Sequence, residues 1–598
     1  MLKLFVLGLL SISSLLMLAG CNKEEKEMNK ISLFTDLYTN KSMYAPSEQI
    51  LVNVDLRNTS DKAQTGEVYL EVYHLGQMVI RTEKETTTVE PLSNQYMTFE
   101  LDAPARDFTG YHLVARYEND TDGDMITTGL DVSSDWKKFP RYGYLVDYTP
   151  KSTSSIEDTI KRLTKYHING LQFYDWHYMH HRPLPFDEAG NPFTSWLELS
   201  NRTVSYKTVE TYINKAHDAN MVAMNYNLLF GTFDNPQADG VDLAWGLYKD
   251  QQGNDIDYHG LPSDWQTSRL LLMDPNNVHW QDYIIEQERR AIETLGFDGW
   301  HVDQLGSRGT RYDALGNQVN LVNGFIDLLQ KADTELNTRL VFNAVDGYGN
   351  GEIARELNVD ALYQEVWSDK AYADLKRIID FGFMQTDYEK STILAAYMNY
   401  GARNQKGLFS TPAVLLTNAT IFASGGSHLA LGDTGMLSSE YFPSDNLKMS
   451  LDLQNRLRNY YSFMVAYQNL LRDNTRNAML KVEMDDTRLS ALGAPDSVWY
   501  FGKETDDYKM LHLINLIGNQ NDWRDDELDK NDPVILENKK VRIFTDELFE
   551  GIYLASPDQA EGLMQKLDVT TGENEYGDRY IEFVMPGLEY WNMILMKR

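Results

Sequence analysis

Between Arg141 and about Leu471 one pattern recurs: a short apolar run, a loop, then a stretch whose apolar residues fall at helical spacing. The first unit joins a strand at Tyr142 to Tyr148 to an amphipathic stretch from Ile156 to Tyr166, with Ser154 or Ser155 as its N-cap. Further strands are predicted at Leu171–Tyr174, Met221–Tyr226, Gly299–Asp303, Leu340–Asn343, Ala361–Glu365, Ile393–Asn399 and His428–Leu431. Helical spacing is clear over Tyr206–Ala219, Val278–Leu295, Val322–Leu336 and Leu447–Leu471. Eight such units predict a central (β/α)8 TIM barrel over residues 139–473. Register is softest in the last three units, because the helices after Trp367 and after Thr411 are weakly periodic. The alternative is an open doubly wound sheet, but no glycine-rich phosphate loop follows any strand.

On either side the period changes to two. Residues 31–138 alternate apolar and polar residues in short runs such as Ile50 to Leu56 and Gly66 to Tyr73, and residues 474–598 do the same at Ala478 to Glu483 and Tyr590 to Leu595. Each flank reads as an antiparallel β-sandwich domain; the N-terminal one could bind ligand, but packing against the barrel is the commoner role and the favoured one. A chain of 598 residues is long enough for several such domains.

Residues 1–21 carry Lys3, an apolar run from Leu4 to Leu18, and then Leu18-Ala19-Gly20-Cys21. This is the layout of a secretory signal, and its end resembles a bacterial lipobox whose cysteine is lipidated after cleavage. An ordinary signal peptide or a short transmembrane anchor are the alternatives. Residues 22–30, rich in Glu and Lys, read as a solvated linker. The expected location is an exported lipoprotein held on the membrane through a lipid on Cys21, at the cell surface or in the periplasm. Cys21 is the chain's one cysteine, so no disulfide forms in the folded body. A formal net charge of −33 repels nucleic acid and anionic lipid surfaces, whereas a neutral polysaccharide feels no such field.

In a barrel of this kind the active site forms at the C-terminal strand ends. Two strands end in carboxylates there: Phe297-Asp298-Gly299-Trp300-His301-Val302-Asp303 and Ala361-Leu362-Tyr363-Gln364-Glu365. Glycosidic cleavage requires two carboxyl groups flanking one bond, one to attack or stabilise the anomeric carbon and one to protonate the departing oxygen. A lone Asp at a strand end is as readily a helix cap. Around the pair, Tyr174, Asp175, Trp176 and His177 form the densest polar and aromatic cluster, with rings for stacking and groups for sugar hydroxyls. Asn225 and Tyr226 after the third strand, Asn343 and Asp346 after the fifth and Asp433 after the eighth, each of which could equally hold a loop together, join His301 and Trp367 to complete the expected substrate-binding set. A metal held by His177, His180 and His181 is the alternative for that cluster; no H-E-x-x-H spacing supports it, and no metal or cofactor is predicted.

With these residues the chain resembles glycoside hydrolase family 66, the dextranases and cycloisomaltooligosaccharide glucanotransferases. The likeness rests on GLQFYDWHYMHHRPLP at Gly170 to Pro185, on FDGWHVDQLG at Phe297 to Gly306, and on NAVDGYG followed by LYQEVW up to Trp367. The resemblance implies a β-domain, barrel, β-domain order, with Asp303 as nucleophile and Glu365 as acid/base in a retaining cleavage of α-1,6-linked glucan. The family's cyclising enzymes carry a carbohydrate-binding module inserted in the barrel. The stretch between Asn399 and His428 is too short for one, which favours a hydrolysing endo-dextranase. Residues Gly231 to Asp274, with Trp245 and Trp265, are expected to form a loop beside the cleft. A glucanotransferase and a non-catalytic glycan-capture lipoprotein stand as rival readings.

Overall fold

A computed structural model describes residues 29–440 and 444–598; the signal and Cys21 lie outside the described residues. From Arg141 onward strands and helices alternate. The strands are β1 (Tyr142–Leu145), β2 (Gly170–Phe173), β3 (Val222–Leu228), β4 (Gly299–Asp303), β5 (Arg339–Asn343), β6 (Ala361–Glu365), β7 (Thr392–Ala395), β8 (Ser427–His428), β9 (Leu431–Gly432) and β10 (Gly435–Met436). They form one curled sheet in the order β8-β7-β6-β5-β4-β3-β2-β1-β9-β10, with every pairing parallel except the closing hairpin of β9 and β10. Only two residues separate β8, which pairs with β7, from β9, which pairs with β1.

The helices are α1 (Thr153–Thr164), α2 (Tyr206–Asp218), α3 (Val278–Leu295), α4 (Leu321–Leu336), α5 (Asn350–Glu356), α6 (Tyr372–Gln385), α7 (Thr411–Ser424) and α8 (Leu451–Ala466). Their ends follow local chemistry. The Asn277 side chain accepts from the amides of His279 and Trp280 to start α3, and Gly296 at φ 82° stops it. α1 is capped by Ser152, not Ser154 or Ser155, because the Ser152 hydroxyl is the one that accepts from Ser155 N–H. The run Leu447–Leu471 is not one helix: Leu447–Lys448 pairs with Gly407–Leu408, Ser450 caps α8, and Tyr467 separates α8 from the turn Gln468–Leu471. The weak periodicity of α7 has a physical cause. From Pro412 to Ser424 every residue is buried, because α7 lies between α6, α8 and the C-terminal strand Tyr508–Asn515, and a helix enclosed all round shows no polar stripe.

Before the curled sheet, a three-stranded and a six-stranded sheet enclose one core that includes Leu37, Val52, Val54, Leu70 and Leu113. After it, a seven-stranded and a four-stranded sheet enclose another, with Leu511, Val541, Phe583 and Ile594. The molecule is thus multidomain, with β-sheets before and after the curled sheet. Residues Gly231 to Asp274 are more than a loop: they carry a three-stranded sheet of Gly231–Thr232, Arg269–Leu272 and Tyr258–Gly260. Among the described residues no helix is long and apolar enough to cross a membrane.

Candidate active site

Side chains alternate along β4. Trp300 and Val302 join the apolar layer against α3 and α4, whereas His301 and Asp303 turn to the inside of the curl. β5 lies between β4 and β6 and ends in Asn343, so three polar side chains meet at adjacent strand ends. Asn343 Nδ2 donates to Asp303 Oδ1 at 2.8 Å and reaches Glu365 Oε2 at 3.5 Å, while Asn343 Oδ1 accepts from the Glu365 amide at 3.3 Å. The other oxygen of each carboxyl receives a tyrosine hydroxyl: Tyr226 donates to Asp303 Oδ2 and Tyr397 to Glu365 Oε1, each at 2.6 Å.

The two carboxyls titrate differently. Burial and the nearby Asp303 charge push Glu365 up to about 7, so near neutrality it holds a proton to give. Burial also raises Asp303, but hydrogen bonds from Tyr226 and Asn343 oppose that shift by favouring its ionised form. A carboxyl that keeps its proton beside one whose hydrogen bonds counter the burial that disfavours its charge fits acid-assisted nucleophilic displacement.

The expected substrate-binding residues divide by depth. Tyr174 lies against Tyr226, ring centroids 4.3 Å apart, and the His177 ring lies tilted against His180 at 4.2 Å, with neither nitrogen of His177 hydrogen-bonded. Burial and the Glu198 charge push Asp175, held at φ 49°, up to about 8. Trp367 packs on Tyr397 and edge-on against Tyr400, both at 5.4 Å.

Five expectations need correction. Trp176 is fully buried between Trp196 and Phe297 with its indole N–H on Asn225 Oδ1, so its face offers nothing to a sugar. Asn225 and Tyr226 lie within β3, not after it, and Asn225 points outward to α3, its amide nitrogen bonded to Glu288. His301 sits fully buried beneath Asp303, stacked on Tyr142 and bonded to its hydroxyl at 3.2 Å. Asp346 accepts from the amides of Trp367 and Ser368, which assigns its carboxylate to the loop after β6. Asp433 similarly accepts from Val146 and Asp147 N–H after β1, with Oδ1 left unpartnered.

Three contributors escaped the sequence reading. Tyr397 lies just past β7, where a strand-end phenol in an apolar run carries no special mark. Arg524 arrives from the C-terminal segment, its guanidinium 5.4 Å from the Trp367 ring and 5.1 Å from Tyr400. Asp257 within the insertion after β3 binds Arg308 through two nitrogens and Arg311 through one, tying that insertion to the loop that follows Asp303.

The chain as a whole is similar to known proteins. The chain is 29% identical to a Niallia circulans cycloisomaltooligosaccharide glucanotransferase over 94% of its own length and 71% of that protein. It is 28% identical to a Streptococcus salivarius dextranase, over 82% of this chain and 67% of the relative. A Paenibacillus cycloisomaltooligosaccharide glucanotransferase, solved with cycloisomaltoheptaose, superposes with a TM-score of 0.88 at 27% identity, covering 95% of this chain and all of that one. The model of glycosyl hydrolase family 66 matches residues 39–595, so the chain belongs to that family and is a glycoside hydrolase.

Proposed function

We propose that this enzyme is a retaining endo-dextranase, cleaving α-1,6-glucosidic linkages inside dextran to give isomaltooligosaccharides. The observation that carries the reading is the shared contact of Asn343 Nδ2 with both carboxyls. The sum of its two distances is an upper bound on the gap between Asp303 Oδ1 and Glu365 Oε2. That closeness of one oxygen pair supports a retaining pair, whose carboxyl groups stand roughly 5–5.5 Å apart, over an inverting one, which holds them roughly 6.5–9.5 Å apart for a water.

In this mechanism Asp303 attacks the anomeric carbon while Glu365 gives its proton to the departing glycosidic oxygen, leaving a glycosyl ester on Asp303. Glu365, now a carboxylate, takes a proton from water. That water attacks the anomeric carbon and the Asp303–carbon bond breaks, which restores both groups. Tyr174, Asp175 and Trp367 are the groups assigned to the sugar, whereas His177 is as fully buried as Trp176.

The curled sheet is read as a closed (β/α)8 barrel over residues 139–473, its eighth strand interrupted between His428 and Leu431. The domains at 31–138 and 474–598 flank it, and residues 1–30 serve as lipoprotein signal and linker, with Cys21 lipidated and the enzyme anchored outside the cytoplasm. The names of the relatives support an α-1,6-glucan substrate, and they also support a second reading, transfer of the glycosyl group to a sugar hydroxyl to close a ring. Hydrolysis is favoured because the glucanotransferase alignment runs over 710 positions, more than this chain's 598 residues, so that relative carries insertions absent here.

Incubation of residues 22–598 with dextran, followed by chromatography and mass analysis, tests this. Linear isomaltooligosaccharides are expected. Cyclic products, lighter by one water, would establish the transferase, and intact dextran would refute both.

A further inference from the structure

Helix α3 carries an acidic residue where its pattern calls for an apolar one. Trp280, Ile284, Ala291 and Leu295 make its buried stripe, and Glu288 falls on that stripe with no exposed surface. Burying a carboxyl away from water is costly unless its oxygens are satisfied. Here both are. Asn225 Nδ2 donates to Oε2, and Asn227 Nδ2 donates to Oε1 at 2.5 Å.

Neither asparagine can turn over without loss. Asn225 Oδ1 accepts from Trp176 Nε1 at 2.8 Å, and Asn227 Oδ1 faces His180 Nδ1 at 2.8 Å while its Nδ2 also donates to the His180 carbonyl at 2.7 Å. The amide hydrogens must therefore point at Glu288. Along a strand alternate residues face opposite sides, so Asn225 and Asn227 meet the helix and Tyr226, between them, faces the inside of the curl. Tyr226 is the residue whose hydroxyl donates to Asp303 Oδ2.

We infer that Glu288 is a positioning residue: by holding the amides on both sides of Tyr226 it fixes β3 so that the Tyr226 hydroxyl meets the Asp303 carboxylate. This rests on the reading of Asp303 as nucleophile. Asp303 loses its ordering donor when β3 relaxes, and a reacting group displaced by about 1 Å can lose roughly 100-fold in rate.

The test uses Glu288→Gln, Tyr226→Phe and the double variant. A glutamine keeps the volume but presents one amide nitrogen to an asparagine nitrogen that is already donating, so one bond is lost. Glu288→Gln is expected to lower kcat on dextran on the order of 10-fold or more, with KM within about 3-fold. The double variant should be no slower than Tyr226→Phe alone, because both changes remove the same interaction. Multiplying losses, or a kcat for folded Glu288→Gln equal to the wild type whatever its melting temperature, would overturn the assignment.

Crystal structures of the wild type and Glu288→Gln give a reading that needs no substrate. The Tyr226–Asp303 contact should lengthen, and an unchanged 2.6 Å contact would refute the role. Should the wild type release no sugar from dextran, the dextranase reading fails by itself and the crystallographic comparison decides Glu288.

Discussion

Tyr397 donates its hydroxyl to Glu365 Oε1 at 2.6 Å, and in doing so it stabilises the ionised form of the group proposed as proton donor. Burial and Asp303 raise Glu365, and Tyr397 holds the rise to about 7. In the proposed mechanism Glu365 has to be protonated when substrate binds, so kcat/KM should fall as pH climbs through about 7. Asp303 has to be ionised, and since burial raises it, the acid limb should lie above the ordinary aspartate range. Tyr397→Phe removes a donor to the carboxylate while Asp303 and Glu440 remain as negative neighbours, so the basic limb should move to higher pH. A kcat/KM profile from about pH 4 to 9 reads both limbs. An unmoved basic limb in Tyr397→Phe would separate Glu365 from that titration.

Asp303→Asn keeps the side-chain shape but removes the carboxylate proposed as nucleophile. Turnover is expected to fall by several orders of magnitude. Stability should hold or rise, because the variant no longer places an ionisable carboxyl where burial disfavours its charge. Steady-state kinetics and a melting curve on the same preparation check it, and near-normal turnover would remove Asp303 from the chemistry.

The division between what could and could not be read from the residues follows the range of the interactions. Strand ends and helix starts are local: α3 runs over the span its spacing predicts because Asn277 and Gly296 sit at its two ends. The strand-end places of Asp303 and Glu365 were legible because each closes an apolar run, and β5 between them supplies Asn343. Trp176 was misread because an aromatic beside polar neighbours looks the same in sequence whether it faces sugar or core, and only the packing of Trp196 and Phe297 decides it. Arg524 lies 157 positions from Trp367 in the numbering, and no periodicity spans such a gap. Glu288 left a trace, an acid on an apolar helical stripe, whose meaning appears only with Asn225 and Asn227 opposite it.

Trp176→Phe tests the core assignment. The change removes the N–H that satisfies Asn225 Oδ1 and leaves a void between Trp196 and Phe297. A loss of about 2–4 kcal/mol is expected from the unmade hydrogen bond and the void together. KM for dextran should change little in the folded fraction. Denaturant unfolding with parallel kinetics measures both, and a large KM effect without loss of stability would return Trp176 to the sugar.

Arg524 makes the C-terminal segment part of the site. The residue is nearly buried, its Nη2 donates to the Val366 carbonyl at 3.3 Å, and its guanidinium lies within 5.5 Å of the Trp367, Tyr400 and Trp523 rings. Val366 and Trp367 directly follow Glu365, so the C-terminal segment reaches across to fix the aromatic face beside the acid. A partly desolvated cation over aromatic faces contributes about 1–2 kcal/mol. Arg524→Ala should free Trp367 and raise KM for long glucans several-fold, with a smaller fall in kcat because the carboxyl pair keeps its own Asn343 and tyrosine contacts. Arg524→Lys should recover little, since an ammonium cannot stack as a planar guanidinium does. Kinetics on dextran and on a short isomaltooligosaccharide distinguish the cases. Equal KM increases on both substrates point to an effect at the cleaved bond, whereas an increase confined to dextran places Trp367 at a more distant sugar.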